Sequence, residues 1–368
     1  MAEHEIWREP SRGGYADLSF LGLDGMQRLD ASVRGFMPPP PIHHLSGLRP
    51  TRVEEGLSVF EMPASPWWQT PAGVFTPGVM AFLADAPLGA AVSTALPPGK
   101  ILATSDLSMS FLRPASVESE RLVARGRLIQ AGRSLGLSQV TVEDARGRVL
   151  AHGTTRCFLY EVVSPPPEPP AELVSYERPV FDTPDPYLRD AVGEILSQDV
   201  WDRMTGLEIL QAFVAQDLPS PPLGNFLGGR WVEAGEGAAS FALPMTEWLN
   251  SPGMRIYGGA IAFLADIALA GAVQTTVPAR SAFSPLDLKV NFVRPVVADG
   301  RDLVGHGTVV HRGRTLAVAN ASLVNADGKV VALASGSTLI LPDRPWMPGR
   351  PVVAEEEAAA DSEEDGSG

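Results

Sequence analysis

The sequence has one cysteine among 368 residues, Cys157, which excludes an intrachain disulfide and any metal site built from several thiolates. It lacks an unbroken apolar run. The longest, positions 78–96, is interrupted by Asp85 and Pro87, whereas a spanning helix needs about 20 apolar residues in succession. No membrane span is expected. Basic residues are scarce, 29 Lys and Arg against 43 Asp and Glu for a formal charge of −14, and affinity for the phosphate backbone is built from Lys and Arg. That balance argues against a nucleic-acid partner. Seven of the acidic residues, Glu355, Glu356, Glu357, Asp361, Glu363, Glu364 and Asp365, crowd the last positions, so the rest of the chain is only mildly acidic. Neither a G-x-G-x-x-G nor a P-loop is present. The opening Met-Ala-Glu-His-Glu-Ile-Trp carries acids where a secretory leader places a basic region and an apolar core, so a cytoplasmic location is expected.

What the sequence does contain, it contains twice. Thr-Pro-Gly-Val-Met-Ala-Phe-Leu-Ala-Asp-Ala-Pro-Leu-Gly-Ala-Ala-Val, from Thr76 to Val92, returns as Tyr257 to Val273 with 9 of 17 positions identical. Asp85 and Asp266 lie 181 positions apart, and the same offset relates Gly25 to Gly206, Pro41 to Pro222, Trp67 to Trp248, Phe111 to Phe292, Gly132 to Gly313 and Gly147 to Gly328. A constant offset over that span means one domain duplicated without net insertion, since the period far exceeds that of a solenoid.

Each copy reads as an α+β unit. In the first, Leu21, Leu23, Met26, Leu29 and Val33 have helical spacing from about Asp17 and stop before Pro38. Positions 49–62 then read as one strand, and a long apolar helix opens at Gly78. After it the period becomes 2, giving strands over 102–112, 122–130, 134–144 and 149–160 with turns at Arg113-Pro114, Ala131-Gly132 and Ala145-Arg146-Gly147. The second copy follows suit, with Trp201, Met204, Leu207, Leu210 and Phe213 as its first helical stripe and a last strand over 330–341. A long helix packed on an antiparallel sheet is the expected plan. The boundaries predicted are 17–161 and 189–342, joined by a proline-rich, semi-rigid linker over 162–188 and followed by an unstructured acidic tail over 343–368.

The carboxylates of Asp85 and Asp266 each fall inside an apolar helix. An unpartnered ionised side chain costs several kcal/mol in such surroundings, so each must be neutral, hydrogen-bonded or employed. A helix N-terminus preceded by glycines presents free N–H groups and a partial positive charge, which suits an oxygen that becomes an oxyanion. A carboxylate in an apolar setting can serve as general base toward water or as a nucleophile.

Together with Thr104-Ser105-Asp106-Leu107, Phe111-Leu112-Arg113-Pro114 and Gly132-Arg133-Ser134, answered by Pro285-Leu286-Asp287-Leu288, Phe292-Val293-Arg294-Pro295 and Gly313-Arg314-Thr315, the pattern resembles the hotdog fold. In detail it is similar to the phenylacetyl-CoA (PaaI-type) acyl-CoA thioesterases. The resemblance implies two tandem hotdog domains forming a pseudo-dimer within the chain, hydrolysis of acyl-CoA, and no cofactor beyond the coenzyme A of the substrate. Further homo-oligomerisation is left open.

The resemblance also implies that the acid of one copy faces the glycine turn of the other. One site would combine Asp85 and Thr104 with Asn250, Tyr257, Gly258 and Gly259; a possible second site would combine Asp266 and Ser284 with Gln69, Thr76, Pro77 and Gly78. Arg133, Ser134, Arg314 and Thr315, in turns that lie near coenzyme A in the family, are candidate substrate contacts, as are Arg113 and Arg294. The chain departs from the family at the motif histidine, which is Thr76 in one copy and Tyr257 in the other, and at the first glycine, which is Pro77 in the first copy. Proline has no N–H to offer. Only the Asp85 site therefore keeps the expected oxyanion donor.

Gly132-Arg133-Ser134-Leu135-Gly136 matches the G-x-S-x-G of a serine-hydrolase elbow, but a strand and not a helix follows, so Ser134 is not read as a nucleophile. No metal ligand set is expected, because His306 and His311 have no acid at ligand spacing and His43 and His44 stand in a proline-rich stretch. Two other functions compete with hydrolysis. A non-catalytic acyl-CoA binder is kept open by the missing histidine, and a hotdog hydratase or dehydratase is disfavoured because neither helix carries a histidine paired with an acid.

Overall fold

A computed structural model describes residues 5–162, 164–342 and 344. Apart from Arg344, the acidic tail expected to be unstructured lies outside the described residues. The first repeat comprises α1 (Gly25–Val33), α2 (Pro41–Ser46), β1 (Arg49–Glu54), β2 (Leu57–Pro63), the central helix α3 (Gly78–Ser93), β3 (Lys100–Phe111), β4 (Arg121–Ala131), β5 (Leu135–Asp144) and β6 (Val149–Glu161). The second comprises α4 (Gln198–Arg203), α5 (Gly206–Ala215), α6 (Pro222–Leu227), β7 (Arg230–Gly235), β8 (Ala238–Pro244), the central helix α7 (Gly258–Gln274), β9 (Ala282–Pro285), β10 (Asp287–Phe292), β11 (Asp302–Arg312), β12 (Leu316–Val324) and β13 (Val330–Leu341).

Several local expectations are corrected. The stretch read as one strand over 49–62 is a hairpin, because Gly56 takes a φ of 70° and turns the chain between β1 and β2. The first amphipathic segment is not one helix from Asp17. It is a short turn, Leu18–Gly22, followed by α1, which starts afresh where Asp24 and Gln27 form a reciprocal capping box. The proline-rich stretch holding His43 and His44 is the short helix α2. Pro41 opens it at the first helical position and Gly47 closes it at φ 73°, a proline start and glycine stop repeated by Pro222 and Gly228 in α6. In the second repeat the strand equivalent to β3 is broken into β9 and β10 around Pro285.

All thirteen strands of the described residues join one antiparallel sheet. Its order is β1-β2-β4-β5-β6-β3-β10-β13-β12-β11-β8-β7, with β9 paired to β13. The repeats meet where β10 pairs with β3, from Asp287 opposite Ser110 to Asn291 opposite Asp106. Lys289 there faces Ser108, its own equivalent under the 181 offset, which marks the local twofold axis. Its Nζ lies 2.8 Å from Asp106 Oδ2, so an ion pair crosses the seam.

The helices α3 and α7 are apolar nearly all round because each is enclosed by the sheet on one side and by its twin on another. Close approach is bought at Gly126 and Gly307, where an added Cβ would lie 2.1 and 1.9 Å from the carbonyl oxygens of Pro87 and Ala268. The helix α3 runs on through Pro87 to Ser93, and the Pro87 carbonyl accepts from Ser58 Oγ at 2.7 Å.

Leader segments cross between repeats. The turn at Ile6–Arg8, which precedes the first repeat, packs on α6 of the second, and that at Pro186–Leu188 packs on α2 of the first. Trp248 Nε1 donates to the Glu9 carbonyl at 2.9 Å and Trp67 Nε1 to that of Arg189 at 3.0 Å. The linker has no strand or helix over 164–185, yet it is anchored: Asp185 accepts from Arg12 and lies 3.0 Å from His44 Nδ1.

Candidate active site

Asp85 sits midway along α3, on the face turned to α7, and is 7% exposed. Two groups hold its carboxylate. Thr104 Oγ1 donates to Oδ1 at 3.1 Å, and the backbone N–H of Gly259, at the start of α7, donates to Oδ2 at 3.0 Å. Thr104 reaches the helix from β3, where the register with β6 shifts between Thr104 and Asp106; such a bulge re-aims a side chain. Gly258 comes so close that an added Cβ would lie 2.7 Å from Asp85 Oδ2. Burial pushes the Asp85 carboxyl up to about 6, against the opposing pull of the bonds from Thr104 and Gly259.

Asp266 is 2% exposed and, among the described residues, is held by the opposite repeat alone. The N–H of Gly78 donates to its Oδ2 at 2.8 Å and Thr76 Oγ1 donates to the same oxygen. Burial pushes this carboxyl up to about 6 as well. The two halves thus match in their cross-repeat glycine bond and differ in their hydroxyl. Pro285 occupies the place of Thr104, and the lost hydroxyl is supplied by Thr76 from the turn rather than by Ser284, the strand hydroxyl named for this half.

Other candidates are placed differently from expectation. The Tyr257 hydroxyl donates to the Phe82 carbonyl at 2.7 Å, tying the α7 turn to α3; burial, then the nearby Asp85 charge, raises its pKa well above the ordinary phenol, so it stays a donor. It braces the turn and is not free to position a substrate. Gln69 Nε2 donates to the Gly73 carbonyl at 3.0 Å, bracing its own loop rather than facing Asp266. Arg113 and Arg294 hold the carbonyls of Val149 and Val330, so they tie the starts of β6 and β13 to the turns that follow β3 and β10. Arg133, Ser134, Arg314 and Thr315 lie exposed in the β4–β5 and β11–β12 turns.

Asn250 is 7% exposed, its Nδ2 donates to the Tyr15 hydroxyl at 3.0 Å, and its Oδ1 has no partner among the described residues. Tyr15 comes from the N-terminal loop and no motif announces it. Its nearest signal is Gly13, whose φ of 106° and close approach to Pro39–Pro41 fix that loop. Cys157 pairs with Thr104 across β3 and β6; burial, then the Asp85 charge, pushes its thiol up to about 12, which fits an inert strand residue.

A cavity of about 790 Å³ opens beside the Asp266 half, not the Asp85 half. Thr76, which bonds Asp266, lines it together with Pro77, Ile267 and Pro285, and aromatic rings including Phe213, Trp231 and Phe241 also line it.

With this geometry in place, the thioesterase superfamily model matches the chain twice, over 72–151 and 254–332. Each match falls within one repeat and takes in its central helix, so the chain is a tandem of two hotdog domains, each similar to that superfamily. A structure from Novosphingobium aromaticivorans, solved under a thioesterase assignment, aligns with a TM-score of 0.50 at 16% identity, covering 79% of this chain and 97% of its own. A tesB protein of Mycobacterium avium subsp. paratuberculosis covers 86% and 100% at 15% identity and a TM-score of 0.49. The PaaI protein of Escherichia coli, from the phenylacetic acid degradation operon, is 28% identical over 32% of this chain and 81% of its own, with a TM-score of 0.30. Among curated proteins, none matches.

Proposed function

We propose that this chain is a thioester hydrolase that splits acyl-CoA into free acid and coenzyme A at a composite site where α3 meets the α7 turn. The observation that carries the reading is the crossing of repeats at Asp85, whose buried carboxylate is held by Thr104 from its own sheet and by Gly259 from the other repeat. With the Gly259 N–H given to the carboxylate, the Gly258 N–H is the donor that the turn presents to a substrate oxygen. Asp85, ionised above about pH 6, takes a proton from water as the water oxygen attacks the thioester carbonyl carbon. Negative charge develops on the carbonyl oxygen against Gly258 and the helix N-terminus. The C–S bond then breaks, its electron pair leaves on sulfur, and the thiolate takes the proton from Asp85. Thr104 orients the base, and Asn250 offers its unpartnered amide oxygen to water or substrate. Arg133, Ser134, Arg314 and Thr315 are proposed contacts for the coenzyme A moiety.

One observation favours a second reading, a non-catalytic acyl-CoA binder: the large cavity adjoins Asp266, where Pro77 offers no N–H. Steady-state thiol release by purified protein on a panel of acyl-CoA thioesters separates the two. Turnover supports hydrolysis, and binding without thiol release would leave only the binder. A hydratase or dehydratase finds no histidine paired with an acid on α3 or α7.

A further inference from the structure

We propose that the cavity beside Asp266 is a second acyl site, which takes the apolar chain of a thioester and holds it without hydrolysis; this rests on the Asp85 half carrying the chemistry. At about 790 Å³, with Val74, Phe75, Phe213, Trp231, Phe241 and Ile267 in its wall, the cavity has the size and apolar lining of a small-molecule site. What the turn beside Asp266 lacks is a free donor. The Thr76 hydroxyl and the Gly78 N–H are both given to Asp266 Oδ2, and Pro77 between them has no N–H. Pro285, also in the wall, puts a ring where the Asp85 half has the Thr104 hydroxyl. A thioester carbonyl set against this turn meets no free donor on Thr76, Pro77 or Gly78. The rim charges are also taken: Arg8 pairs with Glu5 at 2.9 Å and Arg230 with Asp302 at 2.6 Å, so burial of the chain rather than phosphate contact carries the affinity. A free acid would set a second carboxylate near that of Asp266, which favours the thioester over its product at neutral pH.

The test is calorimetric titration of the full chain with S-decyl-coenzyme A, a thioether with no carbonyl to attack, and with decanoate, at pH 7.5. Ala270 lies on the wall contributed by α7, and Ala270→Phe fills the space. The expected result is that this variant binds one equivalent of the thioether fewer per chain than the parent, and that decanoate binds the parent at least tenfold more weakly. Equal stoichiometry in parent and variant would overturn the site while leaving Asp85 as base. Undiminished hydrolysis of decanoyl-CoA by Asp85→Asn, lost in Ala270→Phe, would instead make the cavity the productive pocket and overturn both readings. Hydrogen exchange on the parent needs no variant: the thioether should slow exchange over 70–77 and 209–218, and no slowing there would also sink the proposal.

Discussion

Asp85 Oδ2 lies 3.0 Å from the backbone nitrogen of Gly259, a residue 174 positions further along the chain. One repeat therefore supplies a buried carboxylate and the other supplies the helix start that faces it, and neither repeat alone holds both. If the carboxylate is the base, Asp85→Asn, which keeps the shape and removes the proton acceptor, lowers kcat for acyl-CoA by at least 10²-fold, on the order expected for loss of general-base catalysis. Asp266→Asn lowers it only a few-fold. Thiol-release kinetics on both variants decide the matter, and a dominant effect at Asp266 would move the chemistry to the other half.

The pH profile carries the signature of Asp85. Because burial holds this carboxyl at about 6, kcat/KM should rise through that pH as the base ionises and level off above it. The Thr104 bond opposes the upward shift, so Thr104→Val moves the rise to higher pH while Thr104→Ser leaves it near its original place. A profile flat from pH 5 to 8 would exclude Asp85 as the base.

Stability should carry the matching signature of Asp266. Its folded pKa, about 6, lies above its unfolded value of 3.8, so between these values the folded state binds the proton more tightly and stability falls as pH rises. Above the folded pKa the full cost is present, about 3 kcal/mol for a shift of about two units. Asp266→Asn is neutral throughout, so its stability relative to the parent improves from pH 4 to pH 7. Denaturant midpoints at several pH values measure this difference, and a constant offset would count against a strained carboxylate.

The duplication, the central helices and the two carboxylates were legible in the sequence because each rests on a local pattern repeated at a fixed offset; the pairing of each carboxylate with the opposite turn was implied by the family resemblance alone. Other features were not, for physical reasons. The hairpin at Gly56 and the helix at Pro41 are decided by single turn residues inside stretches whose apolar pattern suits other structures. Tyr15 meets Asn250, and Trp7 meets Gly228, through tertiary packing over more than 200 positions, which no periodicity encodes. The cavity depends on side-chain volumes: Ile209, Phe213 and Trp231 line it where the first repeat has Arg28, Ser32 and Pro50, and the half-buried Arg28 guanidinium instead donates to the carbonyls of Leu23 and Lys100.

Separating the repeats should destroy the protein as a monomer. A fragment of residues 1–165 would expose the α3 face that packs on α7, the β3 edge that pairs with β10, and the leader turn that sits on α6. An apolar face of that kind is covered by aggregation or by a second copy. Sedimentation of the fragment should show dimers or larger species, and a stable monomer would contradict the dependence of each repeat on its twin.

The last prediction adds what the second turn lacks. Pro77 takes the place that Gly258 holds in the other repeat, so the Asp266 half has a base with a pKa of about 6 but no N–H at the position that would face an oxyanion. Loss of one such donor costs on the order of 3 kcal/mol, or 10²–10³ in rate, in a well-studied hydrolase. Restoring it should recover part of that factor. In an Asp85→Asn background, Pro77→Gly is expected to raise residual acyl-CoA hydrolysis by about tenfold or more, less than the full factor because Pro285 still denies Asp266 a hydroxyl from the strand. Glycine for proline at a helix start costs up to about 1 kcal/mol through the unfolded state, so a melting curve accompanies the rate measurement. A folded double variant with no gain in rate would mean that the missing N–H is not what silences this half.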